Sequence, residues 1–381
     1  MKNSYDNMPD KTRESPAHNA AQPRKNRGLG DGSAYFAALD LGTNNCRLMI
    51  GERGSVGVRV VDSFNRSVRL GEGLQSSGAL SEEAMVRAIN ALHVCAARIR
   101  HWPVQAIRGV ATEACRRAVN GKEFLSRVHR ETGIILDLIS PREEAELAME
   151  SCGVLLHANN HRRSRGLLFD IGGGSTEIAW LRLDPTRRAQ DLSGTVSIPC
   201  GVITIAESFR PPAPGADAAE HEHYYESMVR HVIAQLSGFE DVHQIRREIQ
   251  RRNVAMLGTS GTITTLAGVA LGLPRYNRQA VDGVTLTDTA ALEAIDILRD
   301  LEAAEEPPHP CIGIDRSTYV LPGCAIFEAI HRLWPVDNII VADRGLRDGL
   351  LARMARDGDA MRRSRPRPSR DGYPSARIVA H

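Results

Sequence analysis

Residues 167–180 read LLFDIGGGSTEIAW: an apolar run ends in Asp170, three glycines follow at once, and the chain resumes with Glu177 among apolar neighbours. A core strand gains nothing from a carboxylate followed by a flexible triplet, so the stretch implies a charged ligand at the turn. An earlier stretch, AALDLGTNNCRLMI at 37–50, aligns with it. Asp40 falls on Asp170, Leu41 on Ile171, Gly42 on Gly172 and Arg47 on Glu177, at an offset of 130 residues, one domain's worth. Each copy predicts a strand, a tight glycine turn and a returning strand, and the duplication predicts two related domains offering these hairpins across a cleft.

Backbone amides in a glycine turn converge on an anion without Cβ obstruction and form a nest for phosphate oxygens. An aspartate at the strand end repels that phosphate unless a divalent cation lies between them, so carboxylate plus glycine cradle predicts phosphate with Mg²⁺. Neither loop has the lysine of a Walker A motif or the dinucleotide GxGxxG spacing. A third loop, MLGTSGTITTLAGVALGL (256–273), reads strand, loop, helix; Thr259, Ser260 and Thr262 are placed either to bind phosphate or to cap a helix beginning near Ile263.

Apolar runs alternating with amphipathic helices give the α/β pattern around these loops. SEEAMVRAINALHVCAARI (81–99) is a capped helix with Met85, Ile89, Leu92, Ala96 and Ile99 on one face. QAIRGVAT (105–112) and GIILDLIS (133–140) read as strands around a helix at about 122–131. RRSRG (162–166) reads as a hinge, PPAPG (211–215) as a loop, and about 217–251 as one long polar helix. Residues 1–33 and 357–381 read as disordered tails, leaving domains at 34–147 and 148–356, with the final helix packing back on the first.

Hydrophobic content of 42% and charged content of 25% fit a globular protein. The net charge of +2 hides an asymmetry: Met361 to His381 carries six arginines and one aspartate, leaving about −3 on the rest. That argues against a nucleic-acid-binding core and for a solvated basic tail. Seven cysteines with no CxxC pair read as reduced thiols in a cytoplasmic protein. No secretory signal is evident, and no run of 18 apolar residues reads as a membrane span.

A carboxylate for chemistry lies in LISPREEAELAMES (138–151). Ser140 at the N-cap, Pro141 at the first position and Glu143 at the third form a capping box, so Glu143 has a structural task. Glu144 has none. It shares a helical face with Leu147, Ala148 and Ser151, which directs it to a packed or cleft surface; first-turn dipole stabilisation is the alternative. In GVATEACRRAVNGKEF (109–124), Arg116 follows a strand and is placed either to hold phosphate oxygens or to sit at the surface. His221 and His223 form an isolated HxH that reads as exposed helix.

With these residues the chain resembles the exopolyphosphatase/guanosine pentaphosphate phosphatase family. ALDLGTN, GVATEACRRA, SPREEAELA, FDIGGGSTEI, LGTSGTI, IDRSTYVLPGCAIF and VADRGLRDGLL occur in the family's order over about residues 35–355. The resemblance implies two ribonuclease-H-like domains of the actin/Hsp70/sugar-kinase type around a central cleft, in a short form without a C-terminal HD-type domain. It implies Glu144 as catalytic base, and Asp40, Asp170 and Glu177 for metal and water positioning. Gly42, Thr43, Asn44, Gly172, Gly173, Gly174, Ser175 and Arg116 match the phosphate-binding positions. Asn45 departs from the hydroxyl residue that family members often carry there.

The expected activity is Mg²⁺-dependent release of terminal phosphate from inorganic polyphosphate, with pppGpp hydrolysis to ppGpp as the alternative. An ATP-binding kinase or actin-like switch protein on the same fold is a different class, disfavoured by the Glu144 helix beside the second loop. A non-catalytic polyphosphate or ppGpp sensor is disfavoured by retention of Glu144, Asp170 and Glu177. The family makes a homodimer plausible; no nucleic-acid or membrane partner is expected.

Overall fold

The computed structural model describes residues 34–54, 57–158, 163–184, 186–313 and 317–364. The tails at 1–33 and 365–381, Arg162 of the expected hinge, and the segment 314–316 within IDRSTYVLPGCAIF lie outside the described residues.

The first half runs β1 (Tyr35–Leu41), β2 (Asn45–Arg53), β3 (Val58–Ser67), α1 (Leu74–Ser77), α2 (Glu82–His101), β4 (Val104–Ala111), α3 (Glu113–Arg117), α4 (Gly121–Thr132), β5 (Asp137–Leu138) and α5 (Pro141–Ala158). The second runs β6 (Arg165–Ile171), β7 (Thr176–Asp184), β8 (Ala189–Ile198), α6 (Val202–Ser208), α7 (Ala218–His243), α8 (Ile245–Gln250), β9 (Val254–Thr259), α9 (Gly261–Ala270), α10 (Arg278–Val281), β10 (Thr285–Thr287), α11 (Asp288–Ala303), α12 (Val320–Leu333), β11 (Asn338–Ala342) and α13 (Leu346–Ser364).

The sheets are ordered β3-β2-β1-β4-β5 and β8-β7-β6-β9-β11, the second extended by β10. In each, the central strand (β1 or β6) pairs antiparallel with its hairpin partner and parallel with β4 or β9. Each half therefore has the ribonuclease-H-like arrangement, and the sequence duplication is a duplication of architecture.

The helices covering the sheets are exchanged. Helix α5 leaves the first sheet and buries Ala145, Ala148, Cys152 and Leu156 against Leu168, Leu181 and Ile340 of the second. Helix α13 leaves the second sheet and buries Leu346, Leu350 and Leu351 against Phe36, Ala38 and Met49 of the first, with Leu147 of α5 in the same cluster. The two cross closely: a Cβ on Gly349 would stand 2.4 Å from the Leu147 carbonyl oxygen, so a side chain there would force the helices apart. The 147/148 boundary drawn from sequence falls inside the continuous helix α5.

Helix α2 begins where its cap predicts, with Ser81 accepting from the Ala84 amide at 3.2 Å. Other boundaries differ from the sequence reading. GIILDLIS yields only the two-residue β5, because this edge position pairs on one side alone. The expected helix at 217–251 breaks at Gln244, which adopts a left-handed φ of 51° and separates α7 from α8. Arg165 and Gly166 of the expected hinge belong to β6, and α13 continues past 357 to Ser364. All seven cysteines are free and buried, as their spacing suggested.

Candidate active site

Both hairpins present the same turn. The Gly42 amide donates to the Asn45 carbonyl at 2.9 Å, and the Gly172 amide to the Ser175 carbonyl at 2.9 Å. Asp40 lies opposite Arg47 and Asp170 opposite Glu177 in the strand registers. The loop carbonyls are bound from outside the turn. Thr43 and Asn44 accept from Gly71 and Val68 at 3.0 and 2.8 Å, and Gly172 and Gly173 accept from Val202 and Ile203 at 3.0 and 2.8 Å. Among the described residues the amides of Thr43, Asn44, Gly173, Gly174 and Ser175 have no protein acceptor, leaving them for an anion.

The loops meet edge to edge. A Cβ on Gly174 would come within 2.6 Å of Thr43 Oγ1, and one on Gly173 within 3.2 Å of Asn44. They line a cavity of about 1180 Å³ between the two halves, together with Asp40, Asp170, Glu144, Thr259, Ser260 and Thr262. Of the three candidates in the third loop, Ser260 is excluded as a side-chain cap. Its φ of 82° turns it so that Oγ donates to the Ile171 carbonyl at 2.6 Å, tying β9 to the second loop.

Ser140 caps α5 by accepting from the Glu143 amide at 3.1 Å. The reciprocal half of the capping box is replaced by an ion pair, with the Glu143 carboxylate 3.5 Å from Arg108. Glu144 is directed inward, its side chain 14% exposed and 3.4 Å from Arg116. Burial pushes its carboxyl well above the usual carboxylate range; Glu177 adds to this, and Arg116 opposes it. Burial likewise raises Asp170 to about 6, against Arg47. Glu177 rises to about 7, through burial and then the charge of Asp170. Asp40 is raised by burial, with Arg47 and Arg347 opposing.

Two expected site residues stand off the cavity wall. Glu177 is buried below the second loop, where its Oε1 accepts from Ser175 Oγ at 2.6 Å and Ser197 Oγ at 2.8 Å. Arg116 is held by Glu113 at 2.6 Å, by the Ile139 carbonyl at 2.8 Å and by Glu144 at 3.4 Å. It is Glu113 that reaches the cavity. Glu113, Ser197 and Arg347 carried no role in the sequence reading. Glu113 and Arg347 had a signal, through GVATEACRRA and VADRGLRDGLL; Ser197 depends on a strand brought to the loop by folding. His221 and His223 lie on α7 and are not among the residues lining the cavity.

The donor set fits a magnesium ion of a particular kind. Among the described residues no three His, Cys, Asp or Glu side chains converge as a ligand cluster, and one oxygen of Glu177 already serves two hydroxyls. What remains is the buried Asp40 and the half-buried Asp170, one or two carboxylates beside a phosphate cradle. Mg²⁺ is commonly held in this way, its other positions filled by water and substrate oxygens.

Twin ribonuclease-H-like halves, each with an Asp-x-Gly phosphate loop facing a shared cavity, define a phosphate-handling protein of the actin/sugar-kinase architecture. The Ppx/GppA phosphatase family profile matches residues 49–357, and the chain belongs to that family. It is 27% identical over 337 residues to a guanosine-5'-triphosphate,3'-diphosphate pyrophosphatase of Photobacterium profundum, covering 84% of this chain but 59% of the relative's length. It is also 27% identical over 319 residues to a putative exopolyphosphatase of Haemophilus influenzae, covering 83% of this chain and 90% of that one. Among solved structures, the Aquifex aeolicus PPX-GPPA enzyme superposes with a TM-score of 0.65 at 26% identity, over 84% of this chain and 99% of its own.

Proposed function

We propose that this chain is a Mg²⁺-dependent phosphoanhydride hydrolase that releases the terminal phosphate from inorganic polyphosphate. The observation that carries this reading is the meeting of two unfilled amide cradles beside an inward-facing carboxylate, Glu144, on one cavity. The amides of Thr43, Asn44, Gly173, Gly174 and Ser175 bind the terminal phosphate oxygens and fix their direction. Glu144 accepts the proton of the attacking water. Burial and the charge of Glu177 raise its pKa, which makes its carboxylate a stronger base than an exposed one. Asp40 and Asp170 hold the cation, which when bound offsets charge on the phosphoryl oxygens. Glu177 acts from below, holding Ser175 at the loop rather than ligating. Arg116, pinned by Glu113, keeps positive charge beside Glu144.

Hydrolysis of pppGpp by the same machinery is the second reading. The cavity is larger than a terminal phosphate needs, and Tyr276 on its wall offers a ring for a base to stack on. Seven buried free thiols favour a reducing, cytoplasmic setting. Among the described residues no helix is long and apolar enough to cross a membrane.

Phosphate release from long polyphosphate, short polyphosphate, pppGpp and ATP, measured in parallel with Mg²⁺, tests the reading. Fast release from polyphosphate alone supports exopolyphosphatase, and release from pppGpp alone makes this an alarmone phosphatase. Release from none overturns the hydrolase.

A further inference from the structure

The first turn of α13 carries Arg347 into the cavity wall. Its position is set by packing on both halves: Leu346, Leu350 and Leu351 are buried against β1 and β2, and Gly349 abuts the Leu147 carbonyl of α5. Arg47, from β2, lines the same cavity. Neither guanidinium has a hydrogen-bond or ion-pair partner among the described residues. Nearby arginines are satisfied: Arg344 pairs with Asp282 at 3.0 Å, and Arg278 with Asp348 at 3.5 Å.

Both arginines are half-buried and unpaired, and their mutual repulsion is unfavourable for Arg347 in the empty protein. Burial, then Arg47, pushes Arg347 down to about 10, whereas Asp40 opposes this. An anion between them would reverse the balance, because a guanidinium fork matches phosphate oxygens in pairs. We propose that Arg347 is a substrate-binding residue that, with Arg47, clamps a phosphate group of the substrate at the Asp40 side of the cavity. This rests on the reading above that the substrate carries a chain of phosphates. It gives the last helix a task at the site: closing α13 onto the first sheet is what brings Arg347 to the cavity.

The test uses the full chain, Arg347→Gln and Arg347→Lys, with the exposed Arg130→Gln as charge control. Melting temperature is measured without anion, with inorganic phosphate and with tripolyphosphate, alongside tripolyphosphate titration calorimetry and initial rates. Without anion, Arg347→Gln is expected to melt at or above the wild-type temperature, since a repelled charge is removed. Its anion-induced shift is lost, its tripolyphosphate Kd weakens by about tenfold or more, and KM rises more than kcat falls. Lysine restores part of the binding, and Arg130→Gln matches wild type. An Arg347→Gln variant with wild-type Kd and shift, or one that melts lower without anion while binding normally, overturns the clamp and makes Arg347 structural. A wild-type chain that neither binds nor cleaves phosphate chains overturns the clamp and the proposed function together.

Discussion

The two hairpin loops share a backbone and divide the chemistry. Both close with the same 2.9 Å turn bond, yet the first carries side chains at Thr43 and Asn44 where the second has Gly173 and Gly174. Opposite the strand-end aspartate, the first has a cation, Arg47, and the second an acid, Glu177. The first copy therefore contributes bulk and positive charge, and the second contributes bare backbone and negative charge. They fit because Thr43 occupies the space that the missing Cβ of Gly174 leaves. A duplicated motif need not be duplicated in role: once two copies face each other, each is free to lose what the other keeps.

The largest break in this arrangement is expected at the proposed base, Glu144, which lines the same cavity as both loops. Glu144→Gln is expected to lower kcat by about 10²- to 10⁴-fold, with melting unchanged or raised because a buried, repelled carboxylate is gone. Phosphate release with a thermal melt checks both, and an active variant would sink the assignment.

Next in size is the contact between the loops. Gly174→Ala drives a methyl into Thr43 Oγ1 at 2.6 Å, whereas Gly42→Ala meets nothing closer than 3.6 Å. Neither glycine has a left-handed φ, so space alone decides. Gly174→Ala should lose about 10- to 100-fold in kcat/KM by misplacing the cradle, while Gly42→Ala stays near wild type. Equal losses would show that the loops do not act as a fitted pair.

The smallest effect separates the two acidic environments by pH. Folding raises Asp170 from 3.8 to about 6 and Glu177 from 4.5 to about 7. The folded chain thus keeps protons that the unfolded chain releases. The stability these groups contribute is full below about pH 4 and is lost as pH rises through 6 to 7. Glu177→Gln keeps an acceptor for Ser175 and Ser197 but removes that loss, so its melting temperature should exceed wild type by a few degrees at pH 8 and match it at pH 4. A gain of equal size at both pH values would contradict the assignment.

The twin hairpins were legible in the sequence because their signal is local: alternating apolar residues, an aspartate and a glycine turn, written twice. Glu144 was legible because helix phase and capping are also local, and they left it no structural task. The break at Gln244 was not, since the apolar face continues through it and only packing selects the left-handed residue. Glu177 could be placed near the site but not beneath it, because Ser197 arrives from another strand. Arg116 was visible as a strand-end arginine; its capture by Glu113 within the five-residue α3 was not.

The exchange of helices α5 and α13 also orders the events of folding. Sheet one is complete by Leu138, yet the face holding Phe36, Ala38 and Met49 stays uncovered until residues beyond 345 exist. Contacts of such long sequence separation form late and slow the search. During synthesis the N-terminal half waits, half-sealed and exposed to other chains or chaperones, until residues up to Leu351 have left the ribosome.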